Sequence, residues 1–268
     1  MITGKITIIG AGNMGGSIMV GLLDGGMCPP NITISDASQS QLEELQREWP
    51  GISVCSDNTQ ACKGADVIIL AVKPFIIKSV IEEIRGSLDY GKQTIVSIAA
   101  GIGLRDLEEL FSDSRGTLPA IFHIIPNTAV KVGAGMSFVT CSNAGAEARE
   151  KVLEIFGTFG KTMIVDEKLL DAGMALSSCG IAYIFRYIRA AVEAGVELGF
   201  KPAEAQRIIS QTMTGAVTLL EKSGGHPEQE IDKVTTAGGL TIKGLNTMEE
   251  AGFSAAVIKG IKASVKKD

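Results

Sequence analysis

Short uninterrupted apolar runs alternate with amphipathic stretches over the first ~165 residues. Residues 5–10 (KITIIG) and 31–35 (NITIS) have the pattern of buried strands. Residues 66–72 (DVIILAV) are apolar throughout, as a central strand covered on both faces must be. Residues 93–99 and 120–125 continue the series, and 135–141 and 161–166 are expected to extend the sheet edge. Between them lie polar helical patterns such as SQLEELQREW. Strands alternating with helices predict an α/β fold with a doubly wound parallel sheet.

Beyond ~166 the strand pattern stops. Residues 179–200 and 201–224 predict two long helices, the second with Pro202 in its first turn. Shorter helices are expected near 228–234, 242–251 and 254–266. The chain therefore divides, on this reading, into a domain over 1–165 and an all-helical domain over 166–268. The first long helix is apolar on most sides and must be covered, so a second copy of the chain is the expected partner.

Composition narrows the classes. The chain has 268 residues, 45% of them hydrophobic and 21% charged, with a net charge of -5. No basic block is present, which argues against a nucleic-acid partner. Five cysteines, none at C-x-x-C spacing, suit reduced thiols rather than disulfides or a zinc site. With only two histidines, His123 and His226, no metal centre is expected. The chain does not open on a charged start with a long apolar run, and no apolar stretch reads as long enough for a bilayer. A cytoplasmic location without a membrane partner is expected.

Gly10, Gly12 and Gly15, with Asn13 and Met14 between the last two, form a G-x-G-x-x-G. It follows a strand and opens a helix, the context of the Rossmann dinucleotide fingerprint. Gly10 would make the turn, Gly12 would admit a pyrophosphate, and Gly15 would pack helix on strand. Asp36 ends the second strand, about 20 residues on, where an acid bonds the adenosine ribose. A carboxylate there favours NAD over NADP; the same residue could cap the next helix. Ala71, Val72 and Lys73 follow the third long strand, and Ala99, Ala100 and Gly101 lie in the loop after the next. Both face the cofactor crevice if the sheet is doubly wound. Asn58 reads equally as a ribose contact or a helix cap, and Asn127, after Pro126, as part of the nicotinamide floor. No nucleophile–base pair stands out, so the chemistry is expected from a cofactor.

Across essentially its whole length the chain resembles the pyrroline-5-carboxylate reductases. The motifs are IGAGNMGGSIMVGLL, AVKP, SIAAGI, PNTAVKVGAGM, LSSCGIAYIFRYIRAAVEAGVELG, QTMTGAV and TTAGGLTIKGL. The resemblance implies a Rossmann domain followed by a helical dimerisation domain, with dimers that can assemble into decamers. It implies reduction of the cyclic imine 1-pyrroline-5-carboxylate to proline with NADPH or NADH. The family's substrate loop corresponds to residues 236–241. By that correspondence Thr236 belongs to the substrate site, Gly238, Gly239 and Leu240 give backbone donors to the substrate carboxylate, and the Thr241 hydroxyl faces the ring nitrogen. A helix cap is the other reading of Thr241. The sequence leaves the family pattern at Cys179, Ile181, Ala237, Leu240 and His123, the last standing where an arginine is usual. Two alternatives stay open: a relative acting on another cyclic imino acid, and a regulatory protein that binds cofactor without turnover. A β-hydroxyacid dehydrogenase would need a K-x-x-N helix motif, and residues 179–224 contain none.

Overall fold

The structure, a computed structural model, describes residues 4–114 and 116–265. Its first compact unit runs through Ser178 and its second from Cys179. The division falls later than the expected boundary at 165. The reason is local packing: Leu170 is buried with Phe138 and Ile125, so the segment after 165 belongs to the sheet's core.

The first unit contains one eight-stranded sheet. Its strands are β1 (Ile6–Ile9), β2 (Ile32–Ser35), β3 (Ser53–Cys55), β4 (Val67–Leu70), β5 (Thr94–Ser97), β6 (Ala120–Ile125), β7 (Gly135–Ser142) and β8 (Gly160–Ile164). The order is β3-β2-β1-β4-β5-β6-β7-β8. β1 to β6 are all parallel, and the order reverses beside β1, the switch point where such sheets bind ligands. β7 pairs antiparallel with β6, and β8 runs parallel to β7. The sequence pattern placed these two strands at the edge without their reversal. β3 is an addition; three residues behind a Trp-Pro-Gly turn are too short to show a period.

The helices of this unit are α1 (Asn13–Asp24), α2 (Gln39–Glu48), α3 (Asn58–Ala61), α4 (Ile77–Ile84), α5 (Leu104–Phe111), α6 (Ala146–Gly157) and α7 (Leu170–Met174). Successive strand residues point to opposite faces, so an apolar strand must feed two cores. In β4, Val67 and Ile69 join one core with Ile18 and Leu22 of α1 and Phe156 of α6. Ile68 and Leu70 join the other with Ile81 of α4 and Leu107 of α5. This double cover explains why residues 66–72 carry no polar alternation.

The second unit is helical: α8 (Gly180–Glu197), α9 (Pro202–Ser223), α10 (Pro227–Lys233), α11 (Leu240–Glu250) and α12 (Phe253–Ala263). α8 and α9 pack closely where Gly195 meets Ala205; a Cβ on Gly195 would lie 2.9 Å from that of Ala205. Pro202 stands at the start of α9, as its fixed φ allows. Large apolar side chains remain exposed on α8, among them Ile184, Phe185 and Tyr187. One expectation needs correction. The helical stretch Glu167–Glu197 is long and apolar enough to cross a bilayer by length and composition. Arg186, Arg189 and Glu193 lie within it, which is costly in hydrocarbon.

Candidate active site

The glycine-rich loop joins β1 to α1. Gly10 adopts φ +107°, a left-handed backbone that favours glycine, and donates its N–H to the Ser35 carbonyl at 2.7 Å. A Cβ there would lie 2.6 Å from the Ala71 oxygen. At Gly15 a Cβ would lie 1.9 Å from the Gly10 oxygen, so helix and loop touch backbone to backbone. Gly12 differs. It caps α1 with φ -69°, which any residue adopts, and nothing lies within 4 Å of its would-be Cβ. The fold does not need a glycine there, whereas a pyrophosphate approaching the backbone does. Asn13, Met14 and Gly15 open α1, so their N–H groups have no intrahelical acceptors, and no acidic residue occupies the first turn. These features fit a dinucleotide.

Asp36 follows β2. Its Oδ2 accepts the Ala11 N–H at 2.7 Å and its Oδ1 accepts the Ser38 N–H at 2.9 Å. The cap of α2 is Ser38, so the carboxylate is not itself the cap; it joins the glycine loop to the capping residue. Asn58 is likewise not a cap. Asp57 caps α3 by accepting the Gln60 N–H at 2.9 Å. Asn58 Oδ1 accepts from Ser35 Oγ at 2.7 Å, and its Nδ2 donates to Glu83 at 2.9 Å. Glu83 was not anticipated; it sits on α4, far away in sequence. Ala71 donates its N–H to the Ile9 carbonyl at 2.8 Å, holding the carboxyl ends of β1 and β4 together. Val72 follows, half-buried, and Lys73 is exposed at the head of a single turn, Pro74–Ile76.

The loop after β5 holds buried Ala99, then exposed Ala100 and Gly101, the latter at φ +82°. Its far end is tied by Glu167, whose Oε1 accepts the Leu104 N–H at 2.5 Å across 63 residues. A carboxylate at the start of α5 also suits the helix dipole. Nothing in the local sequence signals this contact. His123, in β6, places Nε2 3.2 Å from the Ala99 carbonyl, and burial holds its pKa below the ordinary 6.5. Asn127 is buried and accepts the Met136 N–H at 3.3 Å, bracing the connection between β6 and β7. Ser178 donates its hydroxyl to the Pro126 carbonyl at 3.0 Å from a π-helical turn over Ala175–Cys179. Such turns recur at functional sites.

The residues expected to hold a nucleotide all lie in the first unit; those expected to hold substrate lie in the second. There Gly238 has φ +70°, and Gly239 donates its N–H to the Thr236 carbonyl at 2.9 Å. Gly239 is the N-cap of α11, with Leu240 and Thr241 the first helical residues. Thr241 is therefore inside the helix and is not its cap. The N–H groups of Leu240, Thr241 and Ile242 have no intrahelical acceptors, and no acid lies in the first turn. The Gly239 N–H is already taken by Thr236, so an anion at this helix end would meet the other three N–H groups. A separate groove of about 750 Å³, lined by Arg85, Tyr90 and Thr117, lies near the amino ends of β5 and β6 and contains none of these residues.

Comparison with known proteins covers both units. The sequence model of a family described as pyrroline-5-carboxylate reductase dimerisation matches residues 167–268. One described as NADP oxidoreductase coenzyme F420-dependent matches residues 5–101. The pyrroline-5-carboxylate reductase of Arabidopsis thaliana is 36% identical over 265 residues, covering 98% of this chain and 94% of its own. That of Corynebacterium melassecola is 36% identical over 261 residues, covering 96% and 95%. Among solved structures, pyrroline-5-carboxylate reductase from Coxiella burnetii superposes with a TM-score of 0.88 at 30% identity, covering 98% and 96%. Plasmodium falciparum pyrroline carboxylate reductase with NADP bound gives 0.87 at 26% identity, covering 99% and 97%.

Proposed function

The chain belongs to the pyrroline-5-carboxylate reductase family, and on that footing we propose that it reduces 1-pyrroline-5-carboxylate to L-proline with NAD(P)H. The observation that carries this reading is a likeness spanning both the nucleotide-binding sheet and the helical unit. When bound, the reduced nicotinamide supplies the hydride that converts the imine carbon to an amine carbon. The chain's own residues bind, orient and handle the proton. Gly10, Gly12 and Gly15, with the N–H groups of Asn13 and Met14, hold the pyrophosphate. Asp36 and Asn58 receive the adenosine ribose; Ala71, Val72 and Lys73 line the middle of the crevice. Ala99, Ala100, Gly101 and Asn127 form the nicotinamide floor.

The residues over 166–268 supply the substrate site and the contact between copies. The α11 cradle, with Thr236 and Gly238 shaping its turn, takes the carboxylate of the imine. Thr241 Oγ1 faces the ring nitrogen and holds it protonated, the form that accepts hydride best. The exposed apolar side chains of α8 suit burial against a second copy, which supports a homodimer and leaves further assembly into decamers as an extension of it. A cytoplasmic enzyme of amino-acid biosynthesis is the setting this activity implies. Between the two nucleotides, the Asp36 carboxylate repels a 2′-phosphate, so NADH is the preferred donor.

Purified protein with 1-pyrroline-5-carboxylate should oxidise NADH, and more slowly NADPH, with stoichiometric formation of proline. Nucleotide binding without turnover on this imine would sink the reading. Turnover on a different cyclic imino acid would reassign the substrate, as the departures at Cys179, Ile181, Ala237 and Leu240 allow.

A further inference from the structure

The first turn of α2 reads Ser38-Gln39-Ser40-Gln41. This is the S-x-x-Q spacing in which the glutamine side chain ordinarily folds back onto the N–H of the cap. Only half of that arrangement forms. The Gln41 N–H donates to Ser38 Oγ at 3.4 Å. The Ser38 N–H, however, goes to Asp36 Oδ1 at 2.9 Å. The Gln41 amide is thereby released from capping. Its Nε2 donates instead to the carbonyl of Ala11 at 2.7 Å, 30 residues away. The N–H of the same Ala11 donates to Asp36 Oδ2, also at 2.7 Å. Both backbone groups of one residue in the glycine-rich loop are thus held by side chains from a single short segment. Ala11 itself is buried and stands between Gly10 and Gly12. The two glycines that flank it have more conformational freedom to lose than any other residue type.

We propose that Gln41 is a positioning residue for the nucleotide: it fixes the Ala11 carbonyl, and with it the approach of the loop to the pyrophosphate. This inference rests on the reading of the glycine-rich loop as the nucleotide site. Asp36 is the other jaw of the clamp. The carboxylate that meets the ribose therefore also sets the phosphate loop, and the two functions cannot be altered separately. Replacing Asp36 to admit a 2′-phosphate loosens the loop at the same time, so NADH affinity falls by more than NADPH affinity rises.

The test is a titration of the full-length protein with NADH, NADPH and adenosine diphosphate, alongside steady-state kinetics. Gln41→Leu removes the donor at nearly the same size, and Gln41→Glu keeps the shape but presents an acceptor. Both variants should raise the dissociation constants for all three nucleotides about tenfold. In the uncharged Gln41→Leu the factor should be the same for NADH and NADPH, since Gln41 acts on the loop and not on the 2′ position. The kcat at saturating nucleotide should be unchanged, a split that a general loss of structure does not produce. Unchanged affinity in both variants overturns the proposal, and so does a fall in kcat at constant affinity. If the wild type binds nucleotide but does not reduce the imine, the functional reading fails while the titration still decides the clamp. A wild type that binds none of the three overturns both.

Discussion

His123 Nε2 lies 3.2 Å from the carbonyl oxygen of Ala99, tying the middle of β6 to the loop after β5. The partner is a carbonyl, so Nε2 is a nitrogen that carries a proton. Nδ1 is buried and, among the described residues, is the one buried side-chain polar atom without a partner. Protonating it would place a donor where nothing accepts. Burial accordingly depresses the His123 pKa below 6.5, against smaller opposing effects from the Ala99 carbonyl, Glu167 and Asp171.

The pH dependence follows from that direction. The unfolded chain binds a proton at His123 near pH 6.5 while the folded chain does not. The stability this histidine contributes is therefore complete above the unfolded value. It is lost as pH falls from there toward the depressed folded value, and stays level below it. Urea-unfolding midpoints measured across this range should fall with acidification in the wild type. In His123→Phe that part of the slope should vanish. Equal slopes in both proteins would show that another group carries it.

Gly12 and Gly15 should separate binding from folding. A methyl at Gly15 meets the Gly10 oxygen, so Gly15→Ala should cost about 2–4 kcal/mol of stability and abolish nucleotide binding with it. A methyl at Gly12 meets nothing within 4 Å. Gly12→Ala should lose only the roughly 1 kcal/mol or less that alanine costs at an N-cap, and still lose nucleotide affinity. Thermal melts with and without NADH would check both, and a Gly12→Ala as destabilised as Gly15→Ala would contradict the assignment.

Thr241→Ala offers a cleaner test of the proton site than most hydroxyl deletions. Thr241 is exposed near the start of α11 and does not cap it, and alanine is the better helix former. Stability should hold or rise slightly. The kcat should fall by about tenfold to a hundredfold, with the KM for NADH unchanged. Full activity in the variant would remove the hydroxyl from the mechanism.

The apolar face of α8 should be needed for assembly. Phe185 is 64% exposed in the single chain. Phe185→Glu would place a charge in the contact between copies, where it is costly. Sedimentation velocity should show a shift toward the monomer, with the isolated nucleotide-binding function retained. An oligomer of unchanged size would place the contact elsewhere on the helical unit.

Much of the backbone geometry of the candidate site was readable from residues because its determinants are local. Gly10 and Gly15 are dictated by one turn and one close approach, and a G-x-G-x-x-G after a strand records both. Gly238 and Gly239 mark the turn before α11 in the same way. Other roles were ambiguous because one residue type serves two purposes. Aspartate caps helices and binds riboses, and only the position of Ser38 and Asp57 as the actual caps assigns Asp36 and Asn58 to other work.

By itself, the order of apolar and polar residues determined the alternation of strands and helices, the doubly covered β4 and the helical second half. These follow from periodicity and burial, which act over a few residues at a time. Tertiary structure alone decided the reversal of β7 against β6, the turning of Gln41 onto Ala11, and the bond from Glu167 to the start of α5. The last two join groups 30 and 63 residues apart, and the direction of β7 is set by its pairing with β6 rather than by its own pattern; each defining hydrogen bond exists only once the fold has brought the groups together.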